Sequence, residues 1–537
     1  MLNFVAYTFL TFYTLFIKYT FIKDLYFYFD DFVVFSLFSE TGTPFPLFTD
    51  RPIAGLFLKI IFDVFKWNPL PYHLLGALLE VISSLIIYRL FYKLISKDIF
   101  SSLLVSIIFI VIPGHSQSNW WVILIQLKFL LILWIASVYL FNNYLINKEK
   151  KYLWTSAFIY GVTLFWYEIA LFLPAIHSIF YLKSNNEQKI SLKKYIQSIW
   201  PFAAFMILFG IFRFTDSFGF SSSIQRNGLV PIDQVYTRAT SIFLNTFLRF
   251  PEIDYTIGTK YFTLIDFSKF ISSLLYLSTL LLLIFAWYKQ PEKTTKLKTK
   301  IFILIFGLSW ILYSLLPFSI SSAWFDIRHT YLPHLGLATV IMFFVYVQLN
   351  FISLIPKKIL KNCLVLILLA FICFPITKAA EATIGMGYAW KQVGVEFKIH
   401  EKNIKSYYPN VKNNTIFLIK DAEVSRDFVP VFAGDWVIDG FAKKIYPHQG
   451  VKGEYYNIPT KVDQIQLIGK IDPTFNYMVF DKIYYPFEQI IILDGANKLK
   501  PFSSVNIKTS EGNHLKKLQP TESDASIYPV LDILINN

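Results

Sequence analysis

The sequence predicts an all-α polytopic membrane protein of about 11 spans followed by a small soluble α/β domain. Three observations predict it. Of the 537 residues, 55% are hydrophobic and 16% charged, where soluble domains carry about a quarter charged residues. Apolar stretches long enough for helical spans recur through residues 1–378. The basic residues are concentrated in five short loops between those stretches, at 89–98, 142–152, 183–194, 289–300 and 353–361, which hold 18 Lys and Arg against four acids. That excess equals the net charge of the whole chain, +14, so the remainder is balanced.

The first apolar stretch, Leu2 to Ile22, lacks a basic leader and a small-residue cleavage site, and is expected to be a retained helix. A loop at 23–69 follows, with the adjacent carboxylates Asp30 and Asp31 near its start and Asp50-Arg51-Pro52 further on. Within this loop Ile53 to Phe65 is amphipathic and expected to lie along the membrane surface. Further spans are expected near 72–92, 99–112, 119–141, 153–167, 169–182, 196–212, 270–288, 301–317, 331–348 and 364–377. The pair flanking Glu168 forms a tight hairpin. An odd number of spans puts the amino terminus in the cytoplasm and the carboxyl terminus outside. The same parity puts all five basic loops on the inner side, as the positive-inside rule requires.

On this topology Asp30, Asp31, His115, Glu168, the segment 213–269 and residues 324–330 face outward. The connection at 213–269 is long enough to be functional or disordered. Its Ser- and Gly-rich part, SFGFSSSIQRNGLVP, suits a loop that orders on binding, and Ile242 to Phe250 suits a short surface helix. From 379 the apolar spans end. An amphipathic helix at 388–405 and alternating runs at 415–420, 464–468, 477–480 and 489–494 predict an extracytoplasmic α/β domain over 379–537.

Several function classes drop out. Basic residues confined to short loops between spans are a topology signal, so no nucleic-acid partner is expected. Cys363 and Cys373 are ten residues apart in one apolar stretch, about 15 Å along a helix, too far for a disulfide, and no Cys–His metal pattern exists. The spans read as nearly free of mid-span charge and no half repeats another, which argues against a flippase or transporter.

The outward segments carry a series of motifs: DD at 30–31, RP at 51–52, PLPYHLLGALLE at 69–80, PGH at 113–115, YEIALFLP at 167–174 and RHTYLPHLG at 328–336. In order and sidedness this series resembles the GT-C class of integral-membrane glycosyltransferases, in its bacterial and protein-mannosyltransferase-like branches, over about residues 20–350. The chain differs from the family pattern at Tyr167, where Lys is frequent, at Gly76 and Glu80, and at His329 inside the Arg–Tyr motif. The resemblance implies transfer of a sugar from a polyprenyl-phosphate carrier, delivered through the bilayer, to a lipid, glycan or protein hydroxyl. A lipid-linked glycan polymerase or ligase is the alternative enzyme.

Such a transfer needs a carboxylate to take the acceptor's proton on the side of the sugar opposite the leaving group. The resemblance assigns that role to Asp30, with Asp31 orienting it or helping to bind a divalent cation, Mg2+ or Mn2+. Two neighbouring carboxylates repel, which raises the pKa of one and suits a base near neutrality. The leaving phosphate needs fixed positive charge, best supplied by arginine. Arg328, which opens the last motif, and Arg213, at the end of a span, are the first choices, with Arg51 also in reach. His115, Glu168 and Tyr331 complete the expected substrate-binding set. Trp120, Trp121 and Trp324 are either sugar-stacking platforms or interfacial anchors.

Overall fold

In chain order the helices of the computed structural model begin with α1 (Leu2–Tyr19), α2 (Asp30–Thr41), α3 (Pro52–Phe65), α4 (Pro69–Leu90), α5 (Ile99–Val111) and α6 (Ser116–Trp120). There follow α7 (Ile125–Asn147), α8 (Lys150–Trp166), α9 (Leu173–Ser184), α10 (Leu192–Phe214), α11 (Ile232–Leu244) and α12 (Phe250–Phe262). The last are α13 (Ser268–Tyr288), α14 (Leu297–Ile320), α15 (Pro333–Ser353), α16 (Lys358–Tyr407) and α17 (Asp435–Ile445). The structure describes residues 2–44, 48, 51–96, 98–184, 191–214, 230–289, 297–322, 325–420 and, with gaps, 423–534.

Each of the expected spans is a helix. Among the described residues seven helices are long and apolar enough to cross a membrane: α4 with its continuation to Ile95, α7, α10, α13, α14, α15 and α16. The other four, α1, α5, α8 and α9, have 12 to 18 residues. The chain forms two compact units. The first comprises Met1–Ile22, Phe45–Leu58 and Pro71–Ala389, and the second Lys23–Pro44, Lys59–Leu70 and Trp390–Asn537.

The first unit is a helix bundle held together by small residues, since hydrophobicity alone does not select partners in lipid. Ser137 of α7 and Ser156 of α8 each donate to the other's carbonyl, at 2.9 and 2.7 Å, and both hydroxyls lie within reach of His177 Nε2. Gly336 of α15 lies so close to Gly307 of α14 that a Cβ would meet the Gly307 carbonyl at 2.6 Å. Gly258 of α12 and Gly385 of α16 are in backbone contact, and a Cβ on Gly258 would overlap the Ala382 carbonyl.

The connection at 213–269 is more helical than expected: α11, a wider turn at Asn245–Arg249 and α12 run without a break from Ile232 to Phe262. The apolar and polar residues there recur with helical period, so one continuous element satisfies its backbone groups better than a loop. Residues 217–229 of the Ser- and Gly-rich part lie outside the described residues.

The second unit contains a four-stranded sheet. Strands β1 (Ile416–Lys420), β2 (Lys452–Tyr456), β3 (Ile490–Asp494) and β4 (Lys500–Pro501) take the order β2-β1-β3-β4, parallel except for the β3–β4 pair. Four consecutive residues of β1 and of β3 are buried, the pattern of a parallel sheet covered on both faces. Helix α17 is the crossover from β1 to β2. Smaller sheets form at Lys470–Ile471, Tyr477–Phe480 and Ile483–Pro486, and at Ser504–Thr509, Gly512–Lys517 and Val530–Leu534. The expected strand at 464–468 lies outside the described residues.

Two boundaries differ from composition. Helix α16 is continuous for 50 residues, so the loss of hydropathy at 379 marks a change of surroundings along one helix, and the units divide at Ala389 and Trp390. Helix α2, from the first loop, belongs to the second unit. It packs on α17 so closely that a Cβ on Gly440 would overlap the Phe32 backbone, and Phe32 sits against Phe397 and Phe441 with ring centroids 5.2 and 5.4 Å apart. A three-turn apolar helix gains most by covering an amphipathic partner, whatever their separation in sequence.

Candidate active site

In the first unit four of the motif segments meet. Arg51, just ahead of α3, donates to both oxygens of Glu168, from Nε at 2.9 Å and Nη2 at 2.6 Å. This fork-to-fork pair spans 117 residues of sequence. The Arg51 guanidinium also lies 4.2 Å from the Tyr167 ring centroid. Partial burial pushes the Glu168 carboxyl up, but the Arg51 charge and its hydrogen bonds outweigh that and hold it below the usual range, with Arg213 adding to the effect. Glu168 is therefore ionised and committed to Arg51. Locally the hairpin is made by Tyr167, extended at φ −156°, and the tight turn Glu168–Phe172 that leads into α9.

Tyr167 connects this pair to the last motif: its hydroxyl lies 3.1 Å from His329 Nε2. His329 Nδ1 accepts the Asp326 N–H at 3.0 Å, so the ring proton of neutral His329 is on Nε2 and points at Tyr167. Burial, followed by the charges of Arg328 and Arg51, keeps His329 well below its ordinary pKa and hence neutral. Arg328 lies over Trp121, 5.6 Å from the ring, and its carbonyl accepts from Ser118 Oγ at 3.3 Å. Thr330 Oγ1 donates to the Gly114 carbonyl at 2.6 Å. The RP, YEIALFLP, PGH and RHTYLP segments are thus tied together side chain by side chain.

Two expected substrate residues are placed deeper. His115 is 1% exposed and wedged among the rings of Phe109, Tyr331 and His334, with centroids 5.2, 4.9 and 4.9 Å away. Burial, then the nearby Lys18, His334 and Lys128, lowers its pKa well below the ordinary value. A neutral buried ring gives no charge for a phosphate. Tyr331 is fully buried, and its hydroxyl donates to Glu80 Oε2 at 2.9 Å.

That bond leads to a cluster whose two lysines the sequence did not single out. Lys18 of α1 is paired directly with Glu80 of α4. Lys128 of α7 stands 3.8 Å from the other Glu80 oxygen and donates to Tyr19 and to the Asn119 carbonyl. All three charged side chains are 0% exposed. The expectation of nearly charge-free spans is corrected here: Lys18, Glu80 and Lys128 lie within them, with the two ammonium groups on either oxygen of the one carboxylate. Single charges inside otherwise apolar runs, such as LLEVISS and QLKFLL, were the signal. Their pairing was not readable.

In the second unit Asp30 and Asp31 open α2, where the helix dipole favours carboxylates. Phe29 before them is at φ 45°, a left-handed conformation strained for a phenylalanine. Asp31 is 0% exposed and its Oδ2 accepts the Tyr28 N–H at 2.9 Å. Tyr28 is anchored in turn by its hydroxyl on the Trp390 carbonyl, 2.8 Å away. Asp30 is half-buried on the same turn. Asp31 is thus built into the backbone, and Asp30 is the more accessible of the two. Two adjacent carboxylates suit Mg2+ or Mn2+ when substrate phosphate supplies further oxygens. No group of three or more His, Cys, Asp or Glu among the described residues makes an all-protein metal cage.

Compared with known proteins, the sequence matches no family model and no curated protein. Solved structures similar to it include ArnT from Cupriavidus metallidurans bound to undecaprenyl phosphate, with a TM-score of 0.42, 10% identity, and 82% of this chain and 88% of that one covered. Another is the archaeal oligosaccharyltransferase AglB from Archaeoglobus fulgidus in complex with an inhibitory peptide and a dolichol-phosphate. Its TM-score is 0.40 at 10% identity, covering 84% of this chain and 64% of that one.

Of the remaining sequence candidates, Trp120 and Trp121 are buried at 1% and 2% exposure, and Trp120 Nε1 donates to the Lys18 carbonyl at 2.7 Å. They pack rather than present a sugar platform. Trp324 and Asp50 lie outside the described residues. Asp254 of α12 was not anticipated. It accepts from the Gly114 and Ser116 N–H groups at 2.8 and 3.1 Å and from Ser116 Oγ at 2.8 Å, and so clasps the PGH turn.

Proposed function

We propose that the protein is a GT-C-type glycosyltransferase that moves a sugar from a polyprenyl-phosphate donor to a lipid, glycan or protein hydroxyl at the outer face of a membrane. The observation that carries the reading is the convergence of the motif segments. Arg51 is hydrogen-bonded to Glu168 and stacked on Tyr167, and Tyr167 is hydrogen-bonded to His329 although these two lie 162 residues apart. These are the segments on which the sequence resemblance rests. In the reaction the Asp30 carboxylate takes the proton of the acceptor hydroxyl. The acceptor oxygen bonds to the anomeric carbon as the bond from that carbon to the phosphate oxygen breaks, and polyprenyl phosphate leaves with inversion. Asp31, tied to Tyr28, positions Asp30. Because Arg51 and Glu168 cancel each other, the negative charge of the leaving phosphate falls to Arg213 and Arg328. Asp30 and Asp31 are also the carboxylates that would hold Mg2+ or Mn2+, whose charge would offset that of the phosphate.

The test uses purified protein in nanodiscs, a radiolabelled polyprenyl-phosphate sugar and crude envelope lipid. Wild type should transfer label, and Asp30→Asn should fall at least about a hundredfold, the usual scale of a general base. Transfer undiminished in both Asp30→Asn and Asp31→Asn would remove the assigned base and favour a polymerase or ligase. Donor binding without any transfer by wild type would favour a lipid-linked sugar flippase, a reading to which the buried charges Lys18, Glu80 and Lys128 lend weight.

A further inference from the structure

Asp254 of α12 has no part in the transfer chemistry, yet it is buried and committed to residues 138 and 140 positions away in the sequence. Its Oδ2 accepts the Gly114 and Ser116 N–H groups at 2.8 and 3.1 Å, and its Oδ1 accepts Ser116 Oγ at 2.8 Å. Both carboxylate oxygens are spent on the chain, so this residue acts on the protein and not on a substrate. Gly114 makes the turn at φ 98°, and a Cβ there would come within 3.0 Å of the His334 ring and 3.6 Å of Pro251 on α12. The turn is thus tight and seated directly on the helix that carries Asp254.

Helix α6, which follows the turn, has only five residues. Isolated helices shorter than about 12 residues do not hold themselves together, so its place is set by whatever grips its ends. Asp254 supplies a charged acceptor to the first end, and Trp120 Nε1 fixes the second on the Lys18 carbonyl at 2.7 Å. The segment 114–121 carries Arg328 in turn. Ser118 Oγ donates to the Arg328 carbonyl at 3.3 Å, the guanidinium lies 5.6 Å from the Trp121 ring, and Thr330 Oγ1 donates to the Gly114 carbonyl at 2.6 Å. Backbone and side chain of Arg328 are therefore both referred to the segment that Asp254 pins. A guanidinium grips a phosphate through a planar fork that tolerates little displacement. We propose that Asp254 is a positioning residue, which by holding the 114–116 turn sets Arg328 for the phosphate of the lipid-linked donor. The inference rests on the reading that Arg328 meets that phosphate.

The test is a double-mutant cycle on donor binding, read with tritiated polyprenyl phosphate by scintillation proximity on the full chain in neutral detergent. At about pH 8 the Asp254 carboxyl, pushed up to about 6 by burial, is ionised. Asp254→Asn keeps the shape but turns an N–H2 group toward N–H groups that need an acceptor. It is expected to weaken binding about tenfold, within the range of couplings inside one network. In an Arg328→Ala background the same change should cost nothing further. In an Arg213→Ala background, where the missing arginine belongs to α10, the full cost should persist. Ser116→Ala removes one of the three bonds and serves if Asp254→Asn does not fold, with a smaller loss that also vanishes without Arg328. Unchanged binding in both variants, or a loss equal with and without Arg328, would overturn the inference and leave the transfer reading standing. A loss that vanishes in both arginine backgrounds would show a general disturbance of the site and overturn it too. Arg328→Ala binding as tightly as wild type would remove the phosphate from Arg328, and the inference would fall together with that part of the function reading.

Discussion

Replacing Glu80 with leucine should cost the fold more than any other single change in the first unit. The carboxylate is 0% exposed and holds two ammonium groups that are equally buried, Lys18 in direct contact and Lys128 at 3.8 Å, and it accepts the Tyr331 hydroxyl at 2.9 Å. At an effective dielectric of about 20, a pair of unit charges at the Lys128 distance is worth about 4 kcal/mol before desolvation. Removing the acid leaves two buried like charges with no counter-ion, for which breaking a buried pair gives about 3–5 kcal/mol. That is a large fraction of a typical folding free energy of about 5–15 kcal/mol. The leucine variant should unfold at clearly lower denaturant in a detergent titration followed by tryptophan fluorescence. Removing all three charges together, as Lys18→Met, Glu80→Leu and Lys128→Met, should recover most of the loss, because apolar groups of similar volume replace a buried ion cluster at little cost. A Glu80→Leu protein as stable as wild type, or a triple variant no better than the single one, would refute the cluster as described.

Arg51→Ala, Glu168→Gln and the double variant should show a coupling of about 1–3 kcal/mol in a stability cycle, the range for contacting partners with a forked charged pair. Arg51→Lys should recover little of it, because a point charge replaces the fork. Gly258→Ala should destabilise by about 1–3 kcal/mol through overpacking, since its methyl would overlap the Ala382 carbonyl between α12 and α16. A Tm equal to that of wild type would place those helices further apart. Asp254 gives a pH signature. Burial raises its carboxyl from 3.8 to about 6 against the opposing hydrogen bonds from Ser116 and Gly114. The folded state then binds more protons than the unfolded one between about pH 4 and 6, and stability falls as pH rises through that window, by about 3 kcal/mol in all. Asp254→Asn should flatten that slope in denaturation curves taken from pH 4 to 7, and an unchanged slope would assign the titration elsewhere.

Apolar runs and basic loops determined, without any structure, that this chain is a many-helix protein with a smaller α/β part at its end, because helix length and turn chemistry are local properties. The strands Ile416–Lys420, Tyr477–Phe480 and Ile490–Asp494 were readable for the same reason, as were the carboxylates at the start of α2. Tertiary structure alone decided which face of each helix meets which neighbour. Tyr167 and His329 stand in two motif segments that sequence leaves unrelated, yet they meet at 3.1 Å. Glu80 finds Lys18 across 62 residues, and Asp254 finds Gly114 across 140. Helix α2 joins the C-terminal unit because its apolar face needs α17. Local periodicity says that a face is apolar or that a charge is buried. It carries no record of the partner, because the rotation of each helix is set by close packing and by the need to pair every buried charge.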